Sequence, residues 1–421
     1  MSHAQQQLNP NINESQALLN TFLEQLQSGK PLTSATILES VFNLVMKAER
    51  DCYLADKSQD KANGFYQRQL GTPVGELDLQ VPRNRQGDFR PQILPTPHQR
   101  DIDERQQLLE QLMLNGYSPN QIQRTFDKMG LHYNPEQAAT LRDKYLEHFQ
   151  MWQQRQLPHD CLALFIDAYH ADTLVEGKVQ PSCTFVILSI DWRARKDLVG
   201  IYHIIGHENK TTWLQILNQL IARGLKRPLY IVSDDFSGLK EAIATLFPQT
   251  LHQLCFVHLQ RNINRNMGKQ DAARVNHTLK EIRLSSQHDA AMLRFNQLCD
   301  EYENKYPSFI AHIRQRTQHY LAFLKLPTES RKFFYTTNAV ESFNSAIEKM
   351  RQRLGGFFQS QDIIHVNIFA YYQTLIESKW AKGVPLIKAG MYELRQLFAT
   401  QFGCLPGNLD SSLDSSQTQN T

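Results

Sequence analysis

The sequence lacks a long apolar run, a dense set of cysteines and a strong excess of charge. No window approaches the roughly 18 uninterrupted apolar residues that a membrane-spanning helix needs. Its six cysteines are scattered through 421 residues, unlike the clustered cysteines of small disulfide-stabilised secreted domains, and no leading signal peptide is evident. These absences predict a soluble, cytoplasmic protein with no membrane partner.

The overall composition is that of an ordinary globular protein. Hydrophobic residues make up 41% and charged residues 21%, which argues against global disorder. The formal net charge is only +3, so a polyanionic partner would have to be recognised by local basic clusters. The length suits two or three domains, and the polar ends, residues 1–15 and 406–421, are predicted to be flexible.

Residues 16–157 are predicted to form a mainly helical, DNA-binding region with one hairpin. Apolar residues recur at helical spacing over residues 16–49, which predicts amphipathic helices. An alternating segment, residues 74–94 with a turn at 84–87, predicts the hairpin. Three basic residues in and around this turn are candidate DNA contacts: Arg83, Arg85 and Arg90.

The same region contains a helix-turn-helix-like segment. Two helical patterns are separated by a break at residues 115–118, and Ser118 followed by Pro119 is a typical start of a helix. A helix, a short glycine-containing turn and a second helix outline a helix-turn-helix. Packing of three helices with no role in DNA binding fits the same outline.

The periodicity changes from helical to strand-like after residue 157. Three apolar runs predict an antiparallel meander, and alternating helices and strands follow, giving the order βββ-α-β-α-β-α over residues 158–267. That order is typical of a ribonuclease-H-like mixed sheet. Residues 268–335 predict an all-helical insertion, and residues 336–405 predict a helix returning to the sheet and further C-terminal helices.

Three carboxylates fall at positions where this topology would bring them together. Asp167 ends the first predicted strand, Asp234 follows the fourth, and Glu341 lies one turn into the returning helix. Carboxylate oxygens are the ligands that Mg²⁺ and Mn²⁺ prefer. Two such ions can activate a nucleophile and stabilise the leaving oxygen in phosphoryl transfer.

Each of these carboxylates also has a structural interpretation. An aspartate after a strand often turns the chain or caps the next helix, as Asp234 or Asp235 would do. Glu341 lies three residues after Asn338 and would fit the acidic half of a capping arrangement. Residue by residue the structural role is the commoner one, whereas the joint placement of three carboxylates favours a metal site.

The segment after the fifth predicted strand carries Cys255 and His258. A structural zinc ion usually needs four ligands from two such pairs, and no second pair is evident, so a zinc site is not expected and Cys255 is predicted to pack under the sheet. A solvated polar helix face is the alternative for the basic and polar residues that follow. Candidate DNA contacts on this helix and on the returning helix are His258, Arg261, Asn262, Arg265, Lys349, Arg351 and Arg353.

Several ordered motifs resemble the mutator-type transposases of bacterial insertion sequences. The resemblance covers roughly residues 47–353 and includes FID, VSDDFSGLKEAIATLFP, QLCFVHLQRNI and TTNAVESFNSAIEKMR. It implies a ribonuclease-H-like catalytic domain with a helical insertion and a DDE triad of Asp167, Asp234 and Glu341, with two Mg²⁺ or Mn²⁺ ions. Asp235 departs from the family pattern, in which a small residue usually follows the second aspartate.

The resemblance also implies a function and partners. It implies an enzyme that binds double-stranded DNA at terminal inverted repeats, cleaves it and transfers the strand to target DNA, acting as a dimer or higher oligomer in the bacterial cytoplasm. Two alternatives remain open at this point. They are a domesticated DNA-binding regulator without catalysis, and a ribonuclease-H-like structure-specific nuclease, which would give cleavage without strand joining.

Overall fold

The computed structural model describes residues 32–407 apart from 58, 97–102, 115–116, 130, 132, 207 and 286, together with separate positions between 16 and 28. The ends that were predicted to be flexible lie almost wholly outside the described residues. The exception is the start of the tail, where the backbone N–H of Gly407 donates to Asp160 at 2.7 Å. The chain divides into two units, Met1–Arg142 and Asp143–Thr421.

The first unit combines a long helix, a hairpin and shorter helices. Its elements are α1 (Ser34–Ala55), β1 (Ala62–Thr72), β2 (Gly75–Asn84), α2 (Asp103–Leu114) and α3 (Pro119–Lys128). Helix α1 starts at Thr33, whose side chain forms a capping box with Thr36. Its apolar face packs against the hairpin, and the buried residues of this small core are Met46, Leu70, Leu77, Leu79, Val81 and Leu94.

The hairpin prediction was right about β2 and wrong about its partner. Strand β2 pairs with the preceding strand β1, and not with residues 89–94. The Thr72 hydroxyl closes the connecting turn by donating to the carbonyl of Gly75 at 2.7 Å. Asn84 does organise the predicted turn, since its side-chain oxygen accepts from Gly87 N at 3.1 Å and Phe89 N at 3.2 Å, but the chain then leaves the sheet. Most of β1 is exposed, so no alternation of buried apolar residues marked it as a strand.

Helices α2 and α3 pack on each other within the first unit. Ser118 caps α3 as predicted and forms a capping box with Gln121. Ile122 and Phe126 of α3 share a small core with Leu109 of α2. Residues 115 and 116, where the sequence predicts the break, lie outside the described residues, and a role of this pair in DNA binding stays a prediction.

The second unit is built on a mixed five-stranded sheet, which confirms the α/β prediction. Its elements up to residue 266 are α4 (Pro135–Gln154, which contains the division between the units), β3 (Asp160–Val175), β4 (Lys178–Ile190), β5 (Lys196–Ile205), α5 (Lys210–Ala222), β6 (Arg227–Ser233), α6 (Leu239–Leu246), β7 (Leu251–Leu254) and α7 (Phe256–Asn266). The spatial order is β5-β4-β3-β6-β7. Strands β3, β4 and β5 are antiparallel, whereas β6 pairs parallel with β3 and β7 parallel with β6.

Helices make up nearly all the regular structure after residue 266. They are α8 (Lys269–Leu284), α9 (His288–Tyr302), α10 (Pro307–Arg314), α11 (Thr317–Tyr320), α12 (Thr328–Phe334), α13 (Asn338–Arg353), α14 (Gln361–Ile376), α15 (Pro385–Ala389) and α16 (Met391–Phe402), with a short 3-10 helix at Ala322–Lys325. Helices α8 to α11 share a core of their own with α7. None of the helices in the described part of the chain is both long and apolar enough to cross a bilayer.

Each face of the sheet is covered by a different set of helices. Leu164 and Ile166 of β3 point to the face covered by α5 and α6, where Trp213 is buried. Phe165 points to the opposite face, which α13 and α14 cover. Side chains alternate along a strand, so Asp167 points to the same face as Phe165, toward α13. The apolar residues of α13 that were predicted to share one face are all buried: Val340, Phe343, Ile347 and Met350.

Gly238 holds the loop that joins β6 to α6, and we predict that Gly238→Ala destabilises the protein strongly. Its φ is +79°, and a Cβ there would lie 2.5 Å from the backbone nitrogen of Lys210. We expect Gly238→Ala to lower the free energy of unfolding, measured in urea, by about 1–3 kcal/mol more than an alanine in the left-handed conformation would cost where there is space for its Cβ. The matched control is Gly177→Ala, because Gly177 has a φ of +78° with open space around it. Equal losses in the two variants would contradict the role assigned to the Lys210 contact.

Candidate active site

Two adjacent parallel strands bring Asp167 and Asp234 together. The expectation that Asp167 ends its strand is wrong, because β3 stays paired with β4 as far as Val175 and Asp167 lies within it, at the point where its other neighbour β6 ends. The register pairs Ile166 of β3 with Ser233 of β6, and each aspartate is the next residue along its chain. The first is buried, with 5% of its surface exposed, and the second has a side chain that is 16% exposed. The structure therefore places the two predicted aspartates side by side.

Helix α13 supplies a direct contact to Asp167 through a residue that the sequence analysis missed. The side-chain amide of Asn344 donates to Oδ2 of Asp167 at 2.7 Å, and the backbone N–H of Ala168 donates to Oδ1 at 2.9 Å. The Asn344 Oδ1 atom is buried and has no hydrogen-bond partner among the described residues. Asn344 lies three residues after Glu341 on the same helix, and that spacing is the signal that would have found it.

The site is an environment of concentrated negative charge. Burial, and after it the charge of Asp234, raises the pKa of Asp167 to about 7, and the charge of Glu341 acts in the same direction. The charges of Asp234 and Glu341 are thus both close enough to Asp167 to raise its pKa. Such a group of carboxylates is stabilised by a cation held among them.

Asp234 meets a cationic group on helix α7. Its Oδ1 is in direct contact with Nδ1 of His258. Although burial alone would lower it, the pKa of His258 is raised to about 10 by Asp234 and also by Cys255. One ligand atom from each of these three residues lies within 4.8 Å of the other two. Cys255 is buried as predicted and accepts a hydrogen bond from Thr337 Oγ1 at 3.4 Å.

Glu341 joins the same group through Arg261. The Arg261 Nη2 atom lies 3.3 Å from Oε1 of Glu341, and its Nη1 lies 2.8 Å from Nε2 of His258. Helix α13 has Thr337 at its N-cap with no side-chain cap, so the capping interpretation of Glu341 is wrong. Helix α6 likewise has Gly238 at its N-cap, also without a side-chain cap, so neither aspartate after β6 caps that helix.

Asp235 points to a different part of the second unit. Its Oδ2 lies 3.0 Å from Nε2 of His312 and 2.6 Å from Nε of Arg316. Both partners belong to the helical segment after residue 266, whereas Asp234 is the carboxylate that acts on Asp167. The sequence motif SDD therefore splits into one site residue and one residue that ties the helical segment to the end of β6.

The remaining candidate DNA contacts have different surroundings. Arg351 is held within the protein, since its guanidinium donates to Glu348 at 2.6 Å and to Tyr169 Oη at 3.0 Å. Asn262 is partly buried. The candidates with exposed side chains are Arg83, Arg85, Arg90, Arg265, Lys349 and Arg353. For all of them contact with DNA stays a prediction.

The donor set fits a hard divalent cation. It offers carboxylate oxygens from three chain segments and the unpartnered amide oxygen of Asn344, which can accept a hydrogen bond from a metal-bound water. Asp234, Cys255 and His258 form a second possible ligand set, with one carboxylate, one thiol and one imidazole. Its carboxylate, Asp234, also belongs to the set with Asp167 and Glu341. The chemistry of the oxygen donors matches Mg²⁺ or Mn²⁺.

Carboxylates from two adjacent parallel strands and a helix make up this candidate site, and comparison with known proteins identifies the family. The family model described as "Transposase, Mutator family" matches residues 12–380. The chain belongs to this family.

Curated relatives agree with the family model. The transposase of insertion sequence element IS905 from Lactococcus lactis subsp. lactis is 27% identical over 327 residues, covering 76% of this chain and 83% of the relative. The transposase of IS1201 from Lactobacillus helveticus is 26% identical and covers 74% and 86%. The transposase of IS256 in transposon Tn4001 from Staphylococcus aureus is 25% identical and covers 79% and 87%.

We predict that Asp167→Asn stabilises the metal-free protein while removing its response to metal. Asparagine keeps the shape of the side chain and removes a buried charge that the nearby charge of Asp234 also disfavours, so the free energy of unfolding at pH 8 in EDTA should rise by about 1–3 kcal/mol. Thermal unfolding with and without Mg²⁺ or Mn²⁺ measures both effects. Wild type should gain melting temperature on metal addition and the variant should not.

The matched control for this prediction is Asp235→Asn. It removes the same charge one residue away, but it leaves His312 and Arg316 without their carboxylate, so we expect a loss of about 1–3 kcal/mol and an unchanged response to metal. A metal response that disappears in Asp235→Asn and persists in Asp167→Asn would reverse the assignment of the two residues.

Proposed function

We propose that the chain is a DDE-type DNA transposase that binds the terminal inverted repeats of an insertion sequence and catalyses metal-dependent cleavage and strand transfer. The observation that carries the proposal is the convergence of Asp167, Asp234 and Glu341 from two strands and a helix. In the sheet order β5-β4-β3-β6-β7, strand β4 runs antiparallel to the other four strands. This arrangement supports a ribonuclease-H-like catalytic domain. The transposase names of the relatives support the activity.

Divalent cations held by the three carboxylates would supply an activated hydroxyl nucleophile and neutralisation of the leaving oxygen. The chain's own residues supply position and charge. Asn344 fixes the orientation of Asp167, because it donates to one oxygen while Ala168 N donates to the other. Arg261 places a fixed positive charge beside Glu341, where it can contact a phosphate oxygen of the bound strand.

His258 is a second cation at the site. It contacts Asp234 and its pKa lies near 10, so it carries a positive charge at neutral pH. This charge offsets part of the carboxylate charge before a metal ion binds. Because His258 contacts an Asp234 oxygen that would hold the cation, it acts as a positioning residue for that carboxylate.

DNA recognition is proposed for the first unit. Arg83, Arg85 and Arg90 are exposed on β2 and the loop after it, and Arg83 lies over the ring of Tyr66 at 4.7 Å. Two-stranded ribbons can enter a DNA groove, where arginines contact phosphates and base edges. Handling two transposon ends requires at least a dimer on DNA.

We predict that Asp167→Ala, Asp234→Ala and Glu341→Ala each abolish both cleavage and strand transfer while leaving DNA binding intact. The assay uses a labelled duplex with the element's terminal repeats and Mg²⁺ or Mn²⁺, and each rate should fall by about 10³-fold or more. Asp235→Asn is the control and should retain both reactions at a temperature where it is folded. Cleavage without joining by wild type would favour a nuclease, and binding without either reaction would favour a regulator.

We also predict that replacing Arg83, Arg85 and Arg90 together by glutamine weakens binding to repeat DNA and reduces its salt dependence. Each lost phosphate contact should reduce the slope of log affinity against log salt by about 1. Fluorescence anisotropy over a range of salt concentrations measures the slope. An unchanged slope would place the DNA contacts elsewhere in the chain.

A further inference from the structure

A large cavity lies in the second unit, beside the catalytic helix α13. Its volume is about 1090 Å³, slightly above the roughly 300–1,000 Å³ of small-molecule pockets. The walls come from the turn between β4 and β5, from α12, α13 and α14, and from residues 379–388. None of the three candidate catalytic carboxylates lines it.

The rim of this cavity is strongly basic. Six cationic side chains line it: Arg193, Arg195, Lys196, Lys379, Lys382 and Lys388. Arg195 is paired with Asp191 at 2.9 Å, while Arg193, Lys379 and Lys382 have no carboxylate partner in the part of the chain that the structure describes. No lining residue is acidic. Because like charges repel, such a rim is stabilised by an anion bound between its members.

The floor of the cavity is aromatic. Four rings line it: Phe333, Phe343, Tyr371 and Trp380. Phe343 lies in the middle of this group, with its ring centroid 5.4 Å from Tyr371 and 6.0 Å from Trp380. Phe333 and Tyr371 are only partly buried, so their rings can be reached from the cavity. Proteins that bind single-stranded nucleic acid combine cationic side chains, which contact the phosphates, with aromatic rings, on which the bases stack.

The loop that closes the cavity is fixed to the sheet. The backbone N–H of Val384 donates to the carbonyl of Ala194 at 2.8 Å, which ties residues 379–388 to the β4–β5 turn. Gly383 allows the close approach, since a Cβ there would lie 2.6 Å from the carbonyl oxygen of Arg193 and 2.4 Å from Cε of Lys388. The basic rim and the aromatic floor are therefore built together into one site.

We propose that this cavity binds an unpaired nucleotide of the DNA strand that leaves the active site, with the phosphates on the basic rim and the base stacked on the aromatic floor. The proposal rests on the proposed function, because it takes DNA as the ligand. Bases in a duplex are stacked on each other and cannot reach a recessed aromatic floor, whereas an unpaired base can. Charge complementarity favours a phosphate-bearing strand over a neutral aromatic ligand.

The cavity lies close enough to the active site to take the same strand. Phe343 follows Glu341 by two residues on α13. Lys196 pairs with Ile190, and Ile190 pairs with Ala163, four residues before Asp167 on β3. Lys196 is therefore displaced from Asp167 by about 13 Å along the strands and about 10 Å across two of them, a span of a few nucleotides. A nucleotide held here is anchored to the helix that carries Glu341, so it would fix the position of the strand relative to the catalytic carboxylates.

The test compares a fluorescent single strand of about 12 thymidines with a strand of equal length whose central positions are abasic. Both are titrated by anisotropy against the full-length protein, the triple variant Arg193→Gln, Lys379→Gln, Lys382→Gln, and the variant Tyr371→Leu. The matched control is Lys226→Gln, Arg274→Gln, Lys280→Gln, which removes the same charge from exposed positions of the same unit. Circular dichroism confirms that each variant is folded.

We expect wild type to bind the thymidine strand about tenfold or more tightly than the abasic strand. The cavity triple variant should lose about tenfold in affinity relative to the control triple variant, and Tyr371→Leu should lose the preference for thymidine over abasic positions. A 5-bromouracil strand should crosslink to the peptides that contain Tyr371 or Trp380. Equal binding of both strands by wild type, equal losses in the two triple variants, or competition by free thymidine monophosphate at the strand's own affinity would each overturn the proposal.

The outcome is separable from that of the proposed function. Cleavage of terminal-repeat duplex depends on Asp167, Asp234 and Glu341, so it can succeed while the cavity variants behave as the control does, which would overturn this proposal alone. Conversely, single-strand binding in the cavity is measured without cleavage. It would stand even if no strand-transfer product formed.

Discussion

The repulsion between Asp167 and Asp234 is the constraint around which the second unit is arranged. Burial of Asp167 beside the charge of Asp234 disfavours its ionised form, and both effects raise its pKa, to about 7. The surrounding chain reduces that cost from two sides, with hydrogen bonds from Asn344 and Ala168 to Asp167 and with His258 against Asp234. In the proposed function, the cost that remains would drive the binding of a divalent cation. A more stable sheet with one aspartate replaced would be a poorer metal site.

Helix α13 links the core to this site. Its apolar face, with Val340, Phe343 and Ile347, is buried against the sheet. This packing sets the height and rotation at which Asn344 contacts Asp167 and Glu341 lies near it. A second attachment lies two turns further on, where Glu348 and Arg351 bind Tyr169 of β3. Because both attachments are to the same strand, the helix cannot rotate without breaking a buried contact. The position of Glu341 therefore depends on residues that take no part in chemistry.

The basic residues of the chain divide into two groups with different roles. Some hold the fold or the site, such as Arg261 beside Glu341 and Arg331, which donates to three backbone carbonyls at 2.8 Å. Others remain exposed on the hairpin and around the cavity beside α13. The net charge of +3 conceals this division, because carboxylates elsewhere cancel the local excess. Local clusters, and not the overall charge, decide where a polyanion can bind.

The sequence by itself determined the order of elements over residues 158–267, the faces of α13 and the three candidate carboxylates, because hydrophobic periodicity and residue type are local properties. It did not determine the partner of β2, since β1 is mostly exposed and carries little periodic signal. Only the tertiary structure separated Asp234 from Asp235, because adjacent side chains that look equivalent in the chain point to different helices. It alone brought Asn344 to Asp167 and gathered six cations and four rings from distant segments around one cavity. Contacts between residues far apart in the chain depend on packing, and a one-dimensional pattern does not contain them.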